Sequence, residues 1–188
     1  MKSDKIRKLV LTAMFIAIGM VLPFLTGQIR QIGNMLLPMH IPVLLCGFIC
    51  GWQYGLAAGF ILPLLRSAVF GMPVFVSAAA MAFELAAYGF FSGFLFSRAR
   101  WKCIRSLCRC LIVTMLVGRV VWGIAAAIIF GAAGQPFTFS AFLAGAFINA
   151  VPGIILQLVF IPALMLALDK THLVPFRNHH HREKANEA

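Results

Sequence analysis

Residues 39–71 read MHIPVLLCGFICGWQYGLAAGFILPLLRSAVFG, and the folding of this stretch decides the architecture. It is almost wholly apolar. A membrane-spanning helix needs roughly 20 residues at ~1.5 Å rise each. The stretch is therefore too long for one span and too short for two full ones. Gly47, Gly51 and Gly55 interrupt its middle, together with Gln53 and the aromatics Trp52 and Tyr54. The pattern predicts a short helix, a tight turn over Gly51 to Gln53, and a second helix running to Arg66. Hydrocarbon cannot satisfy the free N–H and C=O groups at helix ends. The other helices must then pack around this hairpin and cover those ends. Arg66 is the first charge inside the apolar region.

The rest of the 188-residue chain has the same character: 62% of it is hydrophobic and only 11% charged. Soluble domains carry about 25% charge. An all-α integral membrane protein of one domain is expected, with no room for an ATPase or another large soluble domain. The net charge of +11 does not indicate nucleic acid, because the basic residues sit in short segments between apolar runs. The cysteines lack metal-ligand spacing. Cys46 and Cys50 read as small packing residues, and Cys103, Cys108 and Cys110 fall in a basic segment. No metal and no cofactor are expected. The basic start and apolar run of the first 26 residues resemble a signal peptide, but no small-x-small cleavage site follows, so a retained first helix is expected.

Six helices are predicted in order. Helix 1 covers about 8–25, followed by a loop, 26–38, with enough Leu and Met to fold back over a pocket. The hairpin supplies helices 2 and 3, and Gly71-Met72-Pro73 makes a turn. Helix 4 covers about 75–96, a basic loop 97–110, helix 5 about 111–130 and helix 6 about 140–168. Residues 1–170 are expected to form the membrane domain, and 171–188 a disordered cytoplasmic tail with no assigned role for His179 to His181. Lys2, Lys5, Arg7 and Lys8, the five basic residues of 97–110, and the tail's Lys170, Arg177, Arg182 and Lys184 all fall on one side; only Arg30 falls on the other. Both termini are thus placed in the cytoplasm.

The polar residues inside the spans are the candidates for chemistry. Glu84 is the only acid there, and an intramembrane carboxylate faces a bundle interior or cavity, usually with a partner. Counted from the outer helix ends, Glu84 lies roughly 12–14 Å deep, Arg119 roughly 16 Å, Trp122 roughly 12 Å and Asn149 roughly 13 Å, with Arg66 shallower. Tyr88 follows Glu84 by one turn, and Trp122 is three residues from Arg119. Asn34 and His40 flank the start of helix 2. A Glu84–Arg119 or Glu84–Arg66 ion pair that merely holds the bundle is one reading. The other is a substrate pocket open to the outside, formed by Arg66, Glu84, Tyr88, Arg119, Trp122, Asn149, Asn34 and His40. Two arginines against one glutamate would then suit an anionic or strongly polar ligand. In helix 1, Ala13 and Ala17 share a face, and small residues at this spacing let another helix approach closely, inside this chain or outside it. The chain lacks a nucleotide loop, a Ser/His/Asp pattern and the two inverted halves of a typical secondary transporter. A solute mover of this kind needs help.

With its size, six helices with both ends inside, Ala13-xxx-Ala17, a long first outer loop and the hairpin CGFICGWQYGLAAG, the chain resembles the substrate-binding S components of energy-coupling factor (ECF) transporters, over residues 6–170. These are vitamin importers of bacteria and archaea. The resemblance implies a binding subunit in a bacterial cell membrane, with no catalytic residues of its own. It implies that Ala13 and Ala17 dock on a membrane coupling subunit driven by two ATPase subunits. It also implies a pocket in the outer half, among the first loop and helices 4, 5 and 6. The surplus arginine makes pantothenate the first choice of ligand, then riboflavin or another B vitamin. Two other classes compete: a small membrane enzyme using Glu84 as acid/base, and a membrane scaffold whose charges only pair.

The charge asymmetry makes a direct prediction. Topology reporters fused after Arg105 and after Lys184 should read cytoplasmic, and one fused near Gln135 external. A cytoplasmic reading at Gln135 would break the six-helix arrangement.

Overall fold

The computed structural model describes residues 2–25, 38–99, 103–134, 138, 142–145 and 150–170. Among these residues the fold is all-helical. The helices are α1 (Lys2–Leu25), α2 (His40–Cys50), α3 (Trp52–Phe70), α4 (Phe75–Arg98), α5 (Ile104–Ala132) and α6 (Val151–Lys170). Five of them are long and apolar enough to cross a membrane, and α2 is shorter. Its 11 residues rise roughly 16 Å, about half a hydrocarbon core.

Gly51 makes the break between α2 and α3. Its φ of 100° lies in the region that favours glycine. Its N–H still bonds the Gly47 carbonyl at 3.1 Å, and its own carbonyl accepts the Gly55 N–H at 3.0 Å, so both helix ends are capped at one residue. At the other end of α3, Gly71 takes a left-handed conformation and closes the last turn on the Ser67 carbonyl.

Several boundaries differ from the sequence reading, the first being α1, which begins at Lys2 rather than near Lys8. α3 continues past Arg66 to Phe70. α5 begins at Ile104, inside the stretch expected to be a basic loop, because the apolar stripe starts there: Leu107 and Leu111 are one turn apart and fully buried, while Arg105 and Arg109 stay exposed. Of the expected last helix, about 140–168, residues 142–145 are helical, Ala150 lies in a turn and α6 runs from Val151, while 139–141 and 146–149 lie outside the described residues. Pro152 thereby falls in the first turn, where its missing N–H breaks no helical bond. The expected tail, 171–188, lies outside the described residues.

The tightest packing joins α2, α3 and α4. A Cβ on Gly55 would sit 2.5 Å from the Gly89 carbonyl oxygen and 2.7 Å from the Cα of Gly47. A Cβ on Gly93 would sit 2.7 Å from the Gly47 carbonyl oxygen, and one on Gly59 would run into the Leu85 carbonyl. Gly55 and Gly59 on α3, and Gly89 and Gly93 on α4, are each one turn apart, so each pair forms a flat track for the facing backbone. Gly47 brings α2 into the same junction. α1 is held less tightly. Gly19 accommodates Leu62 of α3 and Pro42 of α2, while Cys46 of α2 lies 3.7 Å from the Thr12 hydroxyl. Cys46 and Cys50 are buried free thiols in this core, whereas Cys103 is exposed.

The glycine junction can be tested by adding a single methyl group. Gly89→Ala should destabilise the protein by about 1–3 kcal/mol, because the new carbon meets backbone that has nowhere to move. Gly131→Ala, where a Cβ meets nothing within 4 Å, should leave thermal unfolding of the detergent-solubilised protein unchanged.

Candidate functional site

Three helices bring polar side chains to one buried point. α4 carries Glu84 and, one turn on, Tyr88. α5 carries Arg119. α2 carries His40 as its first residue. Because α2 is half-length, its N-terminal residue meets α4 at the level of Glu84 instead of at the membrane surface. His40, Glu84 and Arg119 are 1%, 2% and 4% exposed.

Arg119 Nη1 lies 2.9 Å from Glu84 Oε1. His40 Nε2 lies 3.4 Å from the same oxygen. The His40 and Tyr88 rings meet edge to face at 5.1 Å. The Tyr88 hydroxyl donates a long bond of 3.4 Å to the Met115 carbonyl, and its ring occupies the space left by the absent side chain of Gly118, next to Arg119. Glu84 and Arg119 thus form a buried ion pair, and His40 and Tyr88 wall its two sides.

The pair does not satisfy its own hydrogen-bonding capacity. Both nitrogens of His40, Glu84 Oε1, and Nε and Nη2 of Arg119 are buried without a well-directed hydrogen bond among the described residues. The same holds for the Thr114 hydroxyl on α5 and both amide atoms of Gln157 on α6. Each unsatisfied buried polar group costs about 1–3 kcal/mol, more when charged. Thr114 and Gln157 are absent from the sequence-predicted site. Their one signal was a polar residue in an apolar helix, and nothing in that signal says which way it faces.

The structure separates the two intramembrane arginines. Arg66 does not reach Glu84. Its Nη1 donates to the Met20 carbonyl of α1 at 2.6 Å, and its guanidinium lies over the rings of Phe24 and Phe70 at 5.3 and 5.4 Å. The reason is helical register. Leu62, one turn before Arg66, packs on Gly19 of α1, so Arg66 faces α1 as well. Trp122 stacks on Phe142 at 6.1 Å, with Gly123 and Gly145 making room for the two rings. Asn34 and Asn149 lie outside the described residues. On α1, Ala13 and Ala17 are exposed beside Met14 and Ile18, while Thr12, Phe15 and Gly19 face inward.

Residues 7–165 match the family model described as ECF transporter, substrate-specific component. The chain belongs to this family. No curated protein and no solved structure matches it. As an S component it is a substrate-binding transport subunit of a multi-pass membrane protein family and not an enzyme; ATP hydrolysis lies in partner subunits. That removes the acid/base enzyme reading of Glu84. The family also implies association with the ECF membrane and ATPase subunits, and a small-molecule substrate.

Breaking the buried pair on one side should be far worse than removing it. Arg119→Met leaves the Glu84 carboxylate alone and should cost about 3–5 kcal/mol. Adding Glu84→Gln should recover most of that loss. Thermal unfolding of the purified single and double variants measures both.

Proposed function

We propose that this S component captures a vitamin or related micronutrient from outside a bacterial cell membrane, at the buried cluster of His40, Glu84, Tyr88 and Arg119. The observation that carries the reading is the set of buried polar atoms without partners among the described residues, in a chain whose family is a substrate-specific transport component. Both termini face the cytoplasm, which puts the cluster in the outer half of the bilayer. By the sequence reading, Asn34, Asn149 and Trp122 are further contacts for the ligand. Arg66 is better read as the clamp between α3 and α1 than as a ligand contact. Pantothenate and riboflavin are the leading candidates among the B vitamins. With Arg66 engaged on α1, the positive surplus that favoured pantothenate is not at the cluster, so the two stand level.

Ala13 and Ala17 form the docking face for the membrane coupling subunit, which two ATPase subunits drive. They are exposed, and small residues permit the close helix contact that substitutes for a hydrophobic drive in lipid. Uptake of labelled vitamins into cells that co-express the chain with a coupling module tests the function. One vitamin should accumulate, and accumulation of none across the B vitamins would overturn the reading.

The division between capture and docking is separately testable. Ala13→Leu or Ala17→Trp should abolish uptake and leave binding by the purified protein within about twofold, because only the contact between subunits is blocked. Joint loss of binding and uptake would make that face internal to the fold.

A further inference from the structure

Arg119 is the one strong donor at the cluster, and only part of it is engaged. A guanidinium holds five N–H donors in a rigid fork. Nη1 faces Glu84, while Nε and Nη2 are buried with no partner among the described residues. Those two nitrogens make up the side edge of the group, the edge that grips two adjacent acceptors at once. A carboxylate offers such a pair, and so does the acceptor edge of a heterocycle.

The neighbouring charges choose between them. Glu84 already cancels Arg119. Arg66 is bound to the Met20 carbonyl between Phe24 and Phe70. A carboxylate on the free edge would place a second anion in the same buried space without a second fixed cation, which burial penalises. A neutral edge with two acceptors satisfies both N–H groups and adds no charge. Among the described residues, the other titratable groups that face this point are His40 from α2 and Tyr88 from α4. Among them only a protonated His40 would supply the missing cation, so the response to pH belongs in the test.

We infer that the substrate presents to Arg119 a neutral, planar head with two adjacent hydrogen-bond acceptors, of the kind a flavin, pteridine or pyrimidine ring carries. Glu84 is then the positioning residue that cancels and aims Arg119. This rests on the reading of the cluster as the substrate site.

The experiment is calorimetric binding to the full chain in phosphatidylcholine nanodiscs. The probes are riboflavin, nicotinamide against nicotinate, and panthenol against pantothenate. Riboflavin, the probe that carries a planar edge with two adjacent acceptors, should bind at least about tenfold more tightly than nicotinate or pantothenate, with nicotinamide and panthenol as neutral controls for charge alone, and this comparison needs no variant. Arg119→Lys keeps the charge beside Glu84 but loses the fork, and should weaken riboflavin about tenfold or more. Glu84→Gln removes the cancelling charge and should move the preference about tenfold toward the acid. A wild-type preference for an acid, sharpened as the pH falls, overturns the neutral-head inference and leaves the site in place. Equal binding of every probe by the wild type and both variants overturns the site reading itself.

Discussion

Everything in this bundle hangs on the distance at which α2, α3 and α4 pass one another. Lipid tails are as apolar as leucine, so helices in a bilayer gain little from burying leucine and much from close contact. Gly47, Gly55, Gly59, Gly89 and Gly93 remove the side chains from the crossing, and backbone meets backbone. The half-length α2 can exist only there. Its free ends would be costly in hydrocarbon, and α1, α3 and α4 cover them. The same junction carries the N-terminus of α2 to mid-depth, which is how His40 comes to stand beside Glu84.

The polar cluster is the reverse of economical packing. A buried Glu–Arg pair with good geometry and every remaining donor bonded can break even against desolvation. Among the described residues, this one leaves Nε and Nη2 of Arg119 and both nitrogens of His40 without a well-directed hydrogen bond. A bundle held together by glycine contacts does not depend on the pair for its stability in the way a loosely packed one would. It can therefore carry a polar site that is incomplete by itself. In the proposed reading, the substrate gives that incompleteness a use.

α1 has two faces, one buried in the bundle and one exposed. Thr12, Phe15 and Gly19 point into the bundle, and the Met20 carbonyl takes the Arg66 guanidinium. Ala13, Met14, Ala17 and Ile18 point away. Arg66 thus ties the helix that carries the outward small-residue face to α3, the central arm of the glycine junction. The arginine read from sequence as a second ligand contact holds, in this structure, the carbonyl of Met20 on α1.

Composition and span length by themselves determined an all-helical membrane chain, and the break at Gly51 and the order of six helices were legible in residues 39–71. That Glu84 and Arg119 could meet was legible too, because rise per residue is nearly constant along any helix and puts them at similar counts from their helix ends. Direction around the helix axis was not. Whether Arg66 meets Glu84 or Met20 turns on which face of α3 looks at α1, and the glycine contacts across helices set that rotation. The start of α5 inside a basic segment was missed because charge hid the stripe made by Leu107 and Leu111. Sequence periodicity reports position along one helix. Which buried side chains become partners is decided between helices, where the shape of one backbone fixes how closely and at what rotation the next can lie.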